Sequence, residues 1–332
     1  MRVAILDDYQ DVVRHLGAYR ALEGLDVRVF NQTAKGLGQL SARLRDFDAI
    51  VLIRERTRIT DLLLARLPKL RLISQTGKVG SHIDLDACSR RGIAVTESQG
   101  YAAATAEFTW LLILAALRRL PAYMANFYAG QWQRSFPQQP DWPLAGLGES
   151  VAGKTLGIWG YGRIGRIVAA YGRAFDMQVQ VHGRAGSLQQ AAADGYRAVA
   201  DRGEFFAACD IVTLHLRLLE ATRGCVTRAD LGRMKPTSLI VNTSRAELIE
   251  PGALASALAA GRPGLAAVDV YEQEPASVDE PLLREWRALC TPHLGFTERQ
   301  SYERLFSGAL ASVAAFARGD PINAVNQIAP RN

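Results

Sequence analysis

The chain has 332 residues, 48% of them hydrophobic and 22% charged, with a formal net charge of +6. That length exceeds what one ordinary hydrophobic core fills, so two α/β domains are expected, and the composition is that of a soluble enzyme. The positive excess comes from scattered arginines rather than a Lys/Arg block, which argues against a nucleic-acid partner and leaves a mild bias toward anionic small molecules.

Residues 3–6 already read as a short strand, with no basic segment and apolar stretch leading to a cleavage site, so a cytoplasmic chain is expected. From residue 2 to residue 96, short β-rich runs (27–30, 49–53, 70–74) alternate with helical stretches (62–67, 85–91), the signature of a parallel βαβ sheet. An unbroken alanine-rich stretch over 101–120 predicts one long helix, suited to a crossover or an oligomer contact. Its most apolar part, 111–117, is far too short to span a bilayer, and no membrane partner is expected. Residues 131–153, rich in Gln, Trp, Pro and Gly, lead into a second series of strands at 155–159, 178–182, 211–215, 239–242 and 266–270. A terminal helix is predicted over 298–318; if it packs on the first sheet, the N-terminal domain is discontinuous. Cys88, Cys209, Cys225 and Cys290 have neither CxxC nor metal-ligand spacing, so buried reduced thiols and no metal site are expected.

The turn Gly160-Tyr161-Gly162-Arg163-Ile164-Gly165 follows the strand 155–159 and precedes a helix-like run, 167–175. Glycine suits the tight first turn, lets the backbone approach a pyrophosphate, and lets the helix pack closely on the strand, so the phosphates sit at the helix N-terminus. With strand before and helix after, GxGxxG reads as a dinucleotide clamp. The ribose-reading position, at the end of strand 178–182, holds Gly183-Arg184 and no acid. A carboxylate there would repel a 2′-phosphate, whereas Gly183 leaves room and Arg184 offers a guanidinium fork, so NADP(H) is expected in preference to NAD(H), with NAD possible.

Three later segments follow strands of the same sheet: Asn242-Thr243-Ser244-Arg245, Asp269-Val270-Tyr271-Glu272-Gln273-Glu274-Pro275 and Thr291-Pro292-His293-Leu294-Gly295. They supply a guanidinium, a carboxylate and an imidazole at the carboxyl ends of strands, where a doubly wound sheet gathers its ligand residues. Reduction of a 2-oxo acid needs a proton donor, a carboxylate that keeps the donor protonated, and a fixed cation for the substrate. The histidines His15 and His182 read as structural, His215 as ending a strand near the cofactor, and His82 stays open.

These segments, in this order, resemble the D-isomer-specific 2-hydroxyacid dehydrogenase family over most of the chain. The resemblance implies a Rossmann cofactor domain (101–295) inserted into a flavodoxin-like substrate domain (1–100 and 296–332), two doubly wound parallel sheets, and a homodimer. It makes His293 the general acid/base, Glu274 its carboxylate partner and Arg245 the group that binds and polarises the 2-oxo acid, and it argues against the formate dehydrogenase branch, where glutamine replaces the carboxylate. It places Asp269 by the nicotinamide carboxamide, lines the adenosine side with Leu216, Arg217 and Thr222, and puts Thr243 and Gly295 among the cofactor contacts. Arg217 stands where the family usually has proline. The loop Gly77-Lys78-Val79-Gly80-Ser81-His82 resembles the loop whose backbone N–H groups hold the substrate carboxylate, with Lys78, Ser81 and His82 departing from the usual residues. Arg54, in a segment resembling that of some phosphoglycerate dehydrogenases, could form with Lys78 a pocket for a second negative group. The expected activity is reduction of a glyoxylate- or hydroxypyruvate-like 2-oxo acid; an NAD-dependent phosphoglycerate dehydrogenase and a dinucleotide-sensing binding protein are the alternatives.

Overall fold

The computed structural model describes residues 1–135, 144–320 and 322–327. Part of the Gln/Trp/Pro/Gly-rich stretch expected over 131–153 lies outside the described residues. The chain divides into two compact units, one formed by Met1–Tyr101 with Phe296–Asn332 and the other by Ala102–Gly295.

The first unit is built on five parallel strands, β1 (Arg2–Ile5), β2 (Asp26–Val29), β3 (Ala49–Ile53), β4 (Leu72–Thr76) and β5 (Ala94–Glu97), in the order β2-β1-β3-β4-β5. Strands β3 and β4 are buried along their whole length; β3 is accordingly apolar throughout, since a parallel sheet covered on both faces has no polar side, while the buried Ser74 and Gln75 of β4 are hydrogen-bonded, Ser74 to the Ala309 carbonyl at 2.8 Å and Gln75 to the Arg54 carbonyl at 2.9 Å. One face packs on the helix Arg299–Arg318 through Tyr302, Leu305, Phe306, Leu310 and Val313. The buried Ser98 hydroxyl donates to the Leu305 carbonyl at 2.7 Å and accepts from the Gly77 N–H at 2.9 Å, tying the ends of β4 and β5 to that helix. Beyond the helix, Val325 N–H donates to the Val95 carbonyl at 2.8 Å, and the Asn326 side chain accepts from Val95 N–H at 2.9 Å. The expected strand 70–74 forms two residues later, because Leu70 N–H closes a turn on the Leu67 carbonyl before pairing begins.

The second unit carries seven parallel strands, β6 (Thr155–Trp159), β7 (Gln178–His182), β8 (Arg197–Ala198), β9 (Ile211–Leu214), β10 (Leu239–Asn242), β11 (Leu265–Val268) and β12 (Ala288–Cys290), in the order β12-β11-β10-β9-β6-β7-β8. This is a Rossmann sheet whose strand order reverses between β6 and β9, the place where such sheets take their ligands. Trp110, Leu112, Ile113, Val168 and Ala169 cover one face, and Phe205, Phe206, Leu231 and Leu258 cover the other. The single helix expected over 101–120 is two, Ala102–Leu117 and Leu120–Tyr128, meeting at 65°. The break falls at Arg119, left-handed at φ 55° and followed by Leu120 and the donor-less Pro121. No single helix among the described residues is long and apolar enough to cross a membrane. Of the four cysteines, only Cys88 and Cys209 are buried, their thiols pushed up to about 12 by burial; Cys225 and Cys290 are half-buried, a correction to the expectation of four buried thiols.

The turn after β6 is close-packed backbone on backbone. Gly160 has φ 103°, and a Cβ there would lie 2.6 Å from the His215 carbonyl oxygen. A Cβ on Gly165 would lie 2.1 Å from the Gly160 carbonyl oxygen. The helix that follows, Arg163–Ala174, starts four residues before the predicted run at 167, directly on the Gly162 N-cap. Gly165→Ala is expected to lower the unfolding stability by about 1–3 kcal/mol through overpacking against rigid backbone; the check is a urea midpoint that falls at constant slope, and an unmoved midpoint would mean that the turn has room.

Candidate active site

Every candidate of the second unit stands just past the carboxyl end of one of its strands. After β6, no side chain caps the helix Arg163–Ala174, and a Cβ on Gly162 would meet nothing within 4 Å. The first-turn N–H groups around Arg163, Ile164 and Gly165 thus face open space at the positive end of a helix, a cradle that fits a pyrophosphate. Tyr161 takes another role, since its side chain is buried and its hydroxyl donates to Asp194 at 2.7 Å. It pins the turn from behind, and the sequence offered no local signal for Asp194, which lies 33 residues away. After β7, Gly183 leads to Arg184, which is exposed at the N-cap of the helix Ala185–Ala193, where no side chain caps the helix.

After β9, His215 accepts or donates through Nε2 to the Thr213 hydroxyl at 2.9 Å, and burial of the ring pushes its pKa down to about 3, so it is neutral. The loop beyond closes on itself, because the Thr222 hydroxyl donates to the Arg217 carbonyl at 2.7 Å and accepts from the Leu219 N–H at 2.8 Å. Thr222 therefore shapes this loop and Leu216 is half-buried beneath it, while Arg217 is exposed. After β10, the Asn242 amide donates to the Arg245 carbonyl at 2.8 Å and its oxygen accepts from Ser244 N–H at 3.0 Å, locking the turn that carries Arg245. Thr243 is buried and shares a hydroxyl hydrogen bond of 2.9 Å with Thr109, a partner the sequence did not reveal. The half-buried Arg245 donates from Nη1 to the Ser244 carbonyl at 2.6 Å.

After β11 and β12 the site closes around one carboxylate. Asp269 is 1% exposed, and its oxygens accept from the Thr291 hydroxyl at 2.6 Å, Leu294 N–H at 2.8 Å and Gly295 N–H at 2.8 Å. Burial pushes its carboxyl above the ordinary range, against the pull of those three donors and of His293. Its side chain organises residues 291–295. Within them His293 has φ 53°, a left-handed conformation that costs a non-glycine residue of order 1–3 kcal/mol unless its surroundings over-determine it. The Asp269 bonds on the residues flanking it do so, and the imidazole meets Glu274 with Nδ1 2.6 Å from Oε2. The other Glu274 oxygen accepts from Tyr271 N–H at 3.0 Å. Burial alone would raise the Glu274 carboxyl, but the His293 hydrogen bond and charge, the Tyr271 N–H and the Arg245 charge outweigh it and hold the group below its usual range. Glu274 is thus a carboxylate at neutral pH, and with Nδ1 committed to it, a proton on Nε2 is the one the imidazole can pass on.

In the first unit, Arg54 follows β3 at φ 53°, and its guanidinium packs on Gly77, where a Cβ would lie 2.0 Å from Nη1. Lys78 and Val79 follow β4, but both are engaged by Glu97: the Lys78 ammonium is ion-paired with Oε1, and Val79 N–H donates to Oε2 at 3.0 Å. Lys78, which with Arg54 could form a pocket for a second negative group, is paired in this structure with a carboxylate of its own chain.

Residues 110–295 match the family described as D-isomer specific 2-hydroxyacid dehydrogenase, NAD binding domain. A glyoxylate reductase of Aeropyrum pernix is 36% identical over 293 residues, covering 87% of this chain and 85% of the relative. A D-3-phosphoglycerate dehydrogenase of Archaeoglobus fulgidus is 30% identical over 310 residues, 93% of this chain, which spans 56% of that relative's length. The crystal structure of a phosphoglycerate oxidoreductase from Vibrio cholerae O395 superposes with a TM-score of 0.92 at 52% identity, over 96% of this chain and 99% of the other. The chain belongs to the D-isomer specific 2-hydroxyacid dehydrogenase family, oxidoreductases that act on the CH–OH group of a 2-hydroxy acid with a nicotinamide dinucleotide.

Proposed function

We propose that this protein is an NADP(H)-preferring reductase of small 2-oxo acids of the glyoxylate or hydroxypyruvate kind, working as a homodimer. The observation that carries the reading is the His293–Glu274 pair, 2.6 Å apart, past the carboxyl ends of β12 and β11, in a sheet where β11 pairs with β10, the strand that leads to Arg245. In this reading Arg245 binds and polarises the 2-oxo acid, His293 delivers its Nε2 proton to the carbonyl oxygen, and Glu274 fixes the ring and stabilises the imidazolium. When bound, the reduced nicotinamide supplies the hydride. Asp269 holds residues 291–295 in place and borders the nicotinamide side, the turn 160–165 takes the pyrophosphate, and residues 77–82 of the first unit receive the substrate carboxylate. The name borne by the Vibrio cholerae structure favours a phosphorylated substrate instead; the neutralised Lys78 favours an unphosphorylated one.

Oxidation of NADPH and NADH against a panel of 2-oxo acids tests the activity, and turnover of none of them by either cofactor would leave a dinucleotide-sensing protein as the better reading. His293→Ala is expected to lower kcat by about 10² to 10⁴ with cofactor affinity retained. Glu274→Gln, which keeps the shape and removes the charge, is expected to lower it by about tenfold or more. Near-native turnover of His293→Ala would remove the acid/base assignment.

Arg184 is exposed where a ribose 2′-phosphate would arrive, and no acid stands beside Gly183 to repel it. Arg184→Ala is expected to raise the KM for NADPH by roughly tenfold to a hundredfold, the scale of one charge-assisted bond, and to leave NADH unaffected. Equal losses with both cofactors would point to a general structural effect.

The homodimer rests on Leu111, Leu120, Met124, Phe127, Tyr128 and Trp132, large apolar side chains exposed on or just beyond the helices Ala102–Leu117 and Leu120–Tyr128. Such a patch on a water-facing surface marks a protein interface. Phe127→Glu combined with Tyr128→Glu is expected to halve the mass seen by sedimentation; an unchanged mass would place the interface elsewhere.

A further inference from the structure

At the carboxyl end of β5, Glu97 lies against the loop that follows β4, and its two oxygens are divided between two donors. Oε1 pairs with the Lys78 ammonium, and Oε2 accepts from Val79 N–H at 3.0 Å. A cation beside a backbone N–H is the donor set that a substrate carboxylate requires, so the protein's own carboxylate already sits on it. Arg54 packs on Gly77, Lys78 is held by Glu97, and the Glu55 carboxylate lies beside Gly80, where a Cβ would come 3.2 Å from Oε1. The Lys78 side chain is 57% exposed and that of Glu97 21%, so the pair sits at the edge of solvent, where an ion pair is weak and reversible.

We propose that Glu97 is a specificity-determining residue, an internal carboxylate that occupies Lys78 and Val79 N–H, yields them to a singly charged 2-oxo acid, and repels substrates carrying a second anionic group. This rests on the reading that residues 77–82 receive the substrate carboxylate. Displacement of Glu97 by one incoming carboxylate exchanges like for like. A phosphorylated acid brings further negative charge toward Glu97 and Glu55, whose carboxylates oppose it.

Hydroxypyruvate and 3-phosphohydroxypyruvate differ only by the phosphate group and serve as the probe pair. Wild-type protein is expected to favour hydroxypyruvate in kcat/KM. Glu97→Gln, which keeps the side chain's size without its charge, is expected to improve kcat/KM for the phosphorylated acid about threefold to tenfold more than for hydroxypyruvate, through KM rather than kcat. Adding Lys78→Ala to that variant should cancel the gain. The same ratio in wild type and Glu97→Gln overturns the proposal. Calorimetric titration with oxalate, an unreactive dicarboxylate, reads the loop without turnover, and Glu97→Gln is expected to bind it more tightly by a similar factor; unchanged affinity also overturns the proposal. Tighter oxalate binding by Glu97→Gln in a chain that reduces neither acid would support the role of Glu97 while removing the reductase reading.

Discussion

The candidate active site depends on a buried carboxylate. Asp269 sits just past the end of β11 with almost no exposure and accepts three hydrogen bonds from the segment that carries His293. An isolated carboxylate in such a place would be costly to bury, and these donors are what make it tolerable. In return they hold the backbone of residues 291–295, including the left-handed His293, in one arrangement. The imidazole that meets Glu274 is therefore positioned by a group that takes no part in that contact. Local strain at a candidate catalytic residue is thus upheld by a satisfied polar network in the layer below it.

The same pattern recurs around the sheet. The GxGxxG turn presents its N–H groups to open space because Gly160 and Gly165 let backbone meet backbone, and because Tyr161 reaches Asp194 from behind. The Arg245 turn is held by the Asn242 amide, and Thr243 by Thr109. In each case a hydrogen-bonded partner from elsewhere in the unit or the turn fixes the loop's direction, which lets short loops carry chemistry on a rigid parallel scaffold.

The charges divide along similar lines. Arg184 and Arg217 are exposed beyond the strands of the Rossmann sheet, whereas Arg54 lies on glycine and Lys78 is neutralised by Glu97. A net positive chain is therefore not uniformly attractive to anions. The pairing of each cation, rather than the total, sets which charged ligand a loop can accept.

Much of this was legible in the order of residues. Strands β3, β6 and β10 stand where the apolar runs placed them, because a doubly covered parallel strand favours apolar sequence, and β7 stands where polar and apolar residues alternate. The glycine turn, Gly183-Arg184 and the three polar segments announced themselves because their chemistry depends on residue type at fixed spacing within a few positions. The short edge strands β8 and β12 and the break at Arg119 were not legible, since pairing at a sheet edge and a local left-handed residue depend on neighbours far along the chain. Nor could the sequence show that Asp269 would grip residues 22 to 26 positions later, that Asp194 would anchor Tyr161, or that Glu97 would claim Lys78 and Val79 from 19 and 18 positions away. Local composition and spacing indicated the parallel α/β fold class, the glycine turn and the three polar segments, and the family resemblance supplied the remaining candidate residues; which donors are occupied and which are left to a ligand was decided only by tertiary structure, because hydrogen-bond and ion-pair partners are chosen by proximity in space.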